Sequence, residues 1–491
     1  MIDVIADLHL HSRYSRAVSP QMTPPVMAQY GEQKGIELLA TGDWTHPVWY
    51  REIRNYLEES EEGLYKIKNK NEKIKNEGDS GQARMTRFLL SVEIATIYSQ
   101  GGKGRRIHQL LFVPSFETAE KVNKELLKRG FNISSDGRPI IGLSSKNLLQ
   151  LVLEIDERSL IIPAHAWTPW FGIYGQMSGF NSLKEAYEDL APYVYGIETG
   201  LSSDPEMNWQ MEELATRSIL SFSDAHSPAK MGREATVFRL KELSYSSIRE
   251  AIMQPSLRSV IASKAKQYNT NKSEIAASSS TPRNDILNKV LYTIEFYPEE
   301  GKYHYSGHRN CGVTMTPQEQ AAAHNICPVC KRNLTDGVMR RVQELSQHGV
   351  NGEHKTNTAG LTWITDPKHK NPPFVKIVPL QEIIAEAIGS PFASPKVKVI
   401  FDQLCKEGES EFHVLLKLPL PDIEKAALSI TSPAFAEKIT DGVKKVRAEN
   451  IVIQPGYDGV FGVVKIWSEE TKEIKETKGT KEKEEQIGLG F

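Results

Sequence analysis

Short, nearly continuous apolar runs recur through the first half of the chain. They are Leu38-Leu39-Ala40, Phe88-Leu89-Leu90, Leu110-Leu111-Phe112-Val113, Leu160-Ile161-Ile162, Val194-Tyr195-Gly196-Ile197 and Ser218-Ile219-Leu220. Runs of this length, bounded by polar residues, predict strands buried on both faces. Between them, Thr23-Pro24-Pro25 starts a helix with Val26, Tyr30 and Ile36 on its inner face. Residues 50–87 are highly charged and predict a solvated helix and loop. Further on the period changes to a helical one. Ser394-Pro395 and Ser432-Pro433 each read as an N-cap followed by a first-turn proline, and Phe435, Ile439, Val443 and Val446 share one helix face. Tyr457-Asp458-Gly459-Val460 predicts a hairpin turn.

The 491 residues, at roughly 150 per domain, suggest about three domains. A polar stretch, 263–284, reads as a linker, and beyond Ser468 the chain is almost all Lys, Glu and Thr, too polar to bury a core. No apolar run approaches the roughly 20 residues of a spanning helix, and no basic-then-apolar leader is seen, so a soluble cytoplasmic protein is expected, with no membrane partner. Four cysteines, three of them clustered, do not make a disulfide framework. The net charge of -2 excludes a globally basic nucleic-acid binder but not a local basic groove.

The chemistry sits where the predicted strands end. In Asp7-Leu8-His9-Leu10-His11, alternate residues face the same way, so His9 and His11 stand side by side with Asp7 behind them. Asp43 and His46, Glu93, His108, His165, and Asp224 with His226 occupy similar strand ends. One such pair is weak evidence for a metal site; the ordered series is strong. Arg13 and Arg16 follow the first strand and suit bidentate phosphate contact. The aromatic run after His165 contains Trp167, Trp170 and Tyr174, candidates for stacking on bases. Glu198 and Thr199, also at a strand end, are read as supporting the ligands rather than binding metal.

A second constellation lies further along. His308-x2-Cys311 and Cys327-x2-Cys330 are two ligand pairs of the spacing that makes a tetrahedral structural zinc site, with His304 and His324 as open alternatives for the fourth ligand. Cys405, alone in a helical pattern, is expected to be simply buried.

The order HxH, Asp in Thr-Gly-Asp, Glu, His, His and DxH resembles the PHP (polymerase and histidinol phosphatase) superfamily over residues 1–262. The resemblance implies an α/β fold, a distorted (β/α)7 barrel with two or three divalent metals (zinc, manganese, iron or magnesium) at the strand ends. His9, His11, Glu93 and Asp224 would hold one metal and form the catalytic core, Glu93, His108 and His165 a second, and His226 with Asp43 or His46 a third. Two departures fall on that third site: Trp44, not His, follows Asp43, and Ala17 stands where a further ligand is often found.

A PHP barrel followed by a zinc module beginning Tyr303-His304-Tyr305-Ser306-Gly307-His308-Arg309 resembles the endonuclease Q family. That likeness implies a DNA-repair endonuclease cutting 5′ of deaminated bases (hypoxanthine, uracil, xanthine) or abasic sites, with double- or single-stranded DNA as partner and a nucleoid-associated location. The organisation expected is 1–262 barrel, 263–284 linker, 285–350 zinc-binding module, 351–467 mainly α-helical C-terminal domain and 468–491 disordered tail. Gln486, Leu489 and Phe491 at the end of that tail resemble the peptide that docks on the bacterial sliding clamp. Two other readings compete: a small-molecule phosphatase of the histidinol-phosphatase sort, against which the zinc module speaks, and a non-catalytic DNA- or clamp-binding scaffold, against which the near-complete ligand series speaks.

Overall fold

The computed structural model describes residues 1–68, 85–255, 287–347 and 349–468. The expected linker and the clamp-like peptide at Gln486, Leu489 and Phe491 lie outside the described residues. Strands β1 (Ile2–Asp7), β2 (Leu38–Ala40), β3 (Leu57–Glu61), β4 (Leu64–Ile67), β5 (Arg87–Gln100), β6 (Lys103–Val113), β7 (Ile140–Ile141), β8 (Leu160–Pro163), β9 (Gly196–Glu198), β10 (Ser218–Leu220), β11 (Ala235–Leu240) and β12 (Lys289–Glu295) make up the first part of the chain. β1 runs parallel to β2, and β2 parallel to β5. β5 and β6 form a long antiparallel hairpin, and β8 is antiparallel to β6. β11 is antiparallel to β1, so the sheet is mixed.

The apolar runs form strands because their alternate residues enter two different cores. Leu38, Leu89, Leu110 and Ile162 join Val4, Ala6, Leu8, Leu220 and Phe222 in one cluster. Their neighbours Leu39, Leu90, Leu111 and Ile161 face the other, built with the helices. β9 and β10 pair in parallel with each other. β10 returns toward the sheet through Ser221 N donating to Thr236 Oγ1 and a bridge between Leu10 and Ala225. In the charged stretch after Tyr50 the helix Pro47–Tyr56 passes directly into the β3–β4 hairpin, which the sequence did not predict and whose Leu57, Leu64 and Tyr65 are buried; the expected loop, at 69–84, lies outside the described residues.

The remaining strands are β13 (Ser306–His308), β14 (Val313–Met315), β15 (Glu353–Thr356), β16 (Thr362–Thr365), β17 (Phe374–Lys376), β18 (Val452–Gln454) and β19 (Val463–Lys465). β12 pairs with β11 on one side and with β17 on the other, so later parts of the chain widen the first sheet. Helices Leu380–Ile388, Pro395–Glu407, Glu411–Leu416, Leu420–Leu428 and Pro433–Arg447 then pack together. Ser394 caps its helix by accepting from Val397 N. This helical group is tied to the first part of the chain by the buried pair Lys34 Nζ–Glu411 Oε2, 2.5 Å apart. No described helix is long and apolar enough to cross a membrane.

Candidate metal centre

His9 and His11 extend from β1, His108 lies within β6, and Asp43, His165 and Asp224 follow β2, β8 and β10. Asp43, His165 and Asp224 all have positive φ (49°, 30° and 48°), a strained backbone that turns each side chain back over its strand end. Gly200 allows His165 its place: a Cβ there would meet His165 Cβ at 2.4 Å.

Three ligand groups result, sharing members: His9, His11 and Glu93; Glu93, His108 and His165; His11, Asp224 and His226. Glu93 links them. Its Oε1 is 2.6 Å from His108 Nδ1 and 3.1 Å from His165 Nε2, and its Oε2 is 3.3 Å from His11 Nε2 and 3.8 Å from His9 Nε2. Asp224 Oδ1 lies 3.0 Å from His11 Nε2 and 3.4 Å from His9 Nε2.

The imidazoles are held from behind. Glu198 Oε1 is 2.9 Å from His9 Nδ1, Asp43 Oδ1 is 3.1 Å from His11 Nδ1, Thr168 Oγ1 is 2.5 Å from His165 Nδ1, and the Asp224 carbonyl is 2.8 Å from His226 Nδ1. A hydrogen bond at one ring nitrogen fixes the tautomer and leaves the other as a lone-pair donor. His9 Nε2 is buried and has no hydrogen-bond partner among the described residues, as a metal-facing nitrogen would be. The donor set and this orphaned atom fit divalent metals.

Burial opposes protonation of His9 and His11, yet Glu198, Asp224, Asp43 and Glu93 raise both rings well above the ordinary value, so the cluster of carboxylates calls for positive charge at its centre. Burial opposes ionisation of Glu93, yet His108 and Arg138 hold its carboxyl well below the usual range. Burial opposes it at Asp224 too, and His9, His11 and His226 overcome it in the same way. Burial also pushes His108 down to about 4, leaving its ring neutral at pH 7.

Several sequence expectations need correction. His46 joins no ligand group among the described residues; it is the N-cap of the helix Pro47–Tyr56, accepting from Trp49 N, and its ring stacks on Tyr14. Asp43 accepts from Ser12 N at 2.6 Å and Ser15 Oγ at 2.9 Å and so orients His11. His226 instead groups with His11 and Asp224. Trp167 and Tyr174 are buried and bonded to Asn208 and Glu213, so neither is open to a base. Trp170 is half-buried, with the Arg106 guanidinium 5.3 Å from its ring centroid. Beside it Phe171, at φ 69°, lies with its ring 4.2 Å from that of His108. Arg13 and Arg16 are exposed, and Arg13 is engaged by Glu52 at 2.7 Å. Arg138, which the sequence did not single out, donates from Nη1 to Glu93 Oε2 at 3.0 Å.

The second constellation closes as well. His308, Cys311, Cys327 and Cys330 form one group, with Cys330 Sγ 3.6 Å from His308 Nδ1, and no cysteine is in a disulfide. His304 is buried elsewhere and His324 sits in a turn at φ 52°, so His308 is the fourth member. The adjoining helix Val338–Leu345 sends Arg341 onto the carbonyls of Tyr174 and Phe180, both at 3.1 Å, which anchors the aromatic segment following His165.

A mixed α/β framework with overlapping imidazole and carboxylate groups at its strand ends defines a centre for divalent metals. Within that class the likeness is to endonuclease Q. The lesion-specific endonuclease PfuEndoQ of Pyrococcus furiosus gives a TM-score of 0.70 at 27% identity, over 94% of this chain and 95% of that one. Endonuclease Q in complex with a 27-mer duplex bearing an abasic lesion at its active site gives 0.70 at 28% identity, over 95% and 98%. The uncharacterized protein YqxK of Bacillus subtilis is 26% identical over 475 residues, 95% of this chain and 100% of its own length. The uncharacterized protein MJ0043 of Methanocaldococcus jannaschii is 25% identical over 324 residues, 64% of this chain, which spans 33% of that protein's length. Residues 379–450 match the MJ0043 C-terminal domain family.

Proposed function

We propose that this protein is a metal-dependent DNA-repair endonuclease that hydrolyses the phosphodiester 5′ of deaminated bases or abasic sites. The observation that carries the reading is the set of three ligand groups, two meeting at Glu93 and the third joined to them through His11, in a chain similar to endonuclease Q along almost its whole length. β8 and β1, with the β9–β10 pair between them, close as a distorted (β/α)7 barrel over residues 1–262 in this reading. Residues 285–350 carry a structural zinc on His308, Cys311, Cys327 and Cys330, and 351–467 form the mainly helical C-terminal domain.

His9, His11, Glu93 and Asp224 would hold one metal, Glu93, His108 and His165 a second, and His11, Asp224 and His226 a third. Divalent metals bound there supply Lewis acidity, activating water and offsetting charge on the phosphorane-like transition state. Everything else falls to the chain itself. Glu198, Asp43 and Thr168 keep the imidazoles aimed inward. Trp170, backed by Arg106, offers the ring on which a base beside the lesion stacks. These assignments imply a cytoplasmic, nucleoid-associated enzyme with DNA as partner.

The test is cleavage of end-labelled duplexes carrying one hypoxanthine, one uracil, one abasic site or no lesion, with and without chelator, beside an Asp224→Ala variant. A chelator-sensitive nick immediately 5′ of a lesion, lost in the variant, is the expected result. Equal cleavage of undamaged DNA, or none of any duplex, would overturn the proposal.

A further inference from the structure

We infer that Arg138 is the arginine that grips the scissile phosphate, the contact for which the sequence points to Arg13 and Arg16; the inference rests on the phosphodiesterase reading above. Arg138 Nη1 binds Glu93 Oε2 at 3.0 Å, the same oxygen that faces His11 Nε2 and His9 Nε2. The guanidinium therefore stands on the ligand cluster itself. Its side chain keeps 23% exposure while Glu93 has none, so Arg138 is the member of the pair that solvent still reaches. A guanidinium has five N–H donors in a planar fork; one bond to Glu93 leaves others for two non-bridging oxygens of a phosphodiester.

The backbone places this side chain firmly. Gly137 N donates to Tyr14 O at 3.1 Å, Arg138 N to Asp136 Oδ1 at 3.0 Å, and Ala95 N to Pro139 O at 3.0 Å. Position 137 must be glycine, because a Cβ there would meet Asp43 Oδ2 at 2.3 Å and Ser15 Oγ at 2.4 Å. The loop is thus seated directly on the carboxylate that orients His11, which fixes Arg138 relative to the metal ligands. Arg13 lacks these features: it is exposed, and the carboxylate it meets is Glu52, which belongs to none of the ligand groups among the described residues.

The experiment compares the full-length, metal-loaded wild type with Arg138→Met, Arg138→Lys and Arg13→Met. Metal content is measured by elemental analysis, and binding of inorganic phosphate by calorimetry. Arg138→Met should keep its metals and bind phosphate about 10- to 100-fold more weakly, the scale of a lost charge-assisted contact, while Arg13→Met binds as the wild type does. Arg138→Lys, which keeps the charge without the fork, should fall between them and serves if Arg138→Met misfolds. Unchanged phosphate binding in the Arg138 variants would overturn the inference, as would a loss of metal in step with the loss of phosphate, since the residue would then only support Glu93. If the wild type binds phosphate through Arg138 but nicks no damaged duplex, the endonuclease reading falls and Arg138 keeps its role on another phosphoester.

Discussion

Glu198 Oε1 lies 2.9 Å from His9 Nδ1, and the other oxygen of the same carboxylate accepts from His165 N at 2.6 Å. One buried acid thus sets the ring of one metal-facing histidine and the backbone of another. Glu198→Gln should preserve the fold and weaken metal binding about 10- to 100-fold. A competition titration against a chromophoric chelator reads this directly, and wild-type affinity in the variant would show that Glu198 is only filler.

His226 and His46 should part company. His226→Ala removes a member of the His11–Asp224–His226 group and is expected to lower metal stoichiometry. His46→Ala should leave stoichiometry unchanged and cost about 1 kcal/mol of stability through the lost helix cap. Elemental analysis together with thermal melts separates the two effects; a metal deficit in His46→Ala would restore it as a ligand.

Three of the four cysteines belong to the His308 group, and the fourth, Cys405, is buried among the C-terminal helices. With metal bound, the native protein should react slowly with a thiol reagent. A strong chelator should release a fast phase from Cys311, Cys327 and Cys330, with zinc appearing in step. A fast phase of the same size before chelation would argue against a metal on these thiols.

Glu295 is fully buried, accepting from Ser221 Oγ at 2.9 Å and Thr199 Oγ1 at 3.2 Å, and burial pushes its carboxyl up to about 8. The folded state therefore holds this proton more tightly than the unfolded chain, whose value is near 4.5. Its contribution to stability is complete below about pH 4.5 and is lost as pH rises through about 8. Urea midpoints should decline over that window in the wild type, and Glu295→Gln should flatten the decline. An equal slope in both proteins would assign it to another group.

Much of the centre was legible because strands have a period of two. HxH and DxH put both members of each pair on one face, and apolar runs announced the strands that deliver Glu93, His108 and His165. His46 was misread although Pro47 follows it, a cap-and-proline signal like the one that correctly placed Ser394. Trp167 and Tyr174 were misread because an aromatic run has the same composition whether it lines a groove or fills a core. Arg138 had no signal at all. It reaches Glu93 from an irregular loop, and its neighbourhood is set by Gly137 pressing on Asp43, a contact across 94 residues that no local pattern encodes.

β12 has a further consequence. It lies hydrogen-bonded between β11, which pairs with the strand bearing the first ligands, and β17. A fragment ending at residue 255 would strip β11 of that neighbour and leave a bare row of amide and carbonyl groups, an adhesive edge that invites self-association. Trimming this chain to the part that bears the ligand groups would therefore yield a sticky fragment, whereas exchange of the outlying helices leaves β12 paired on both sides.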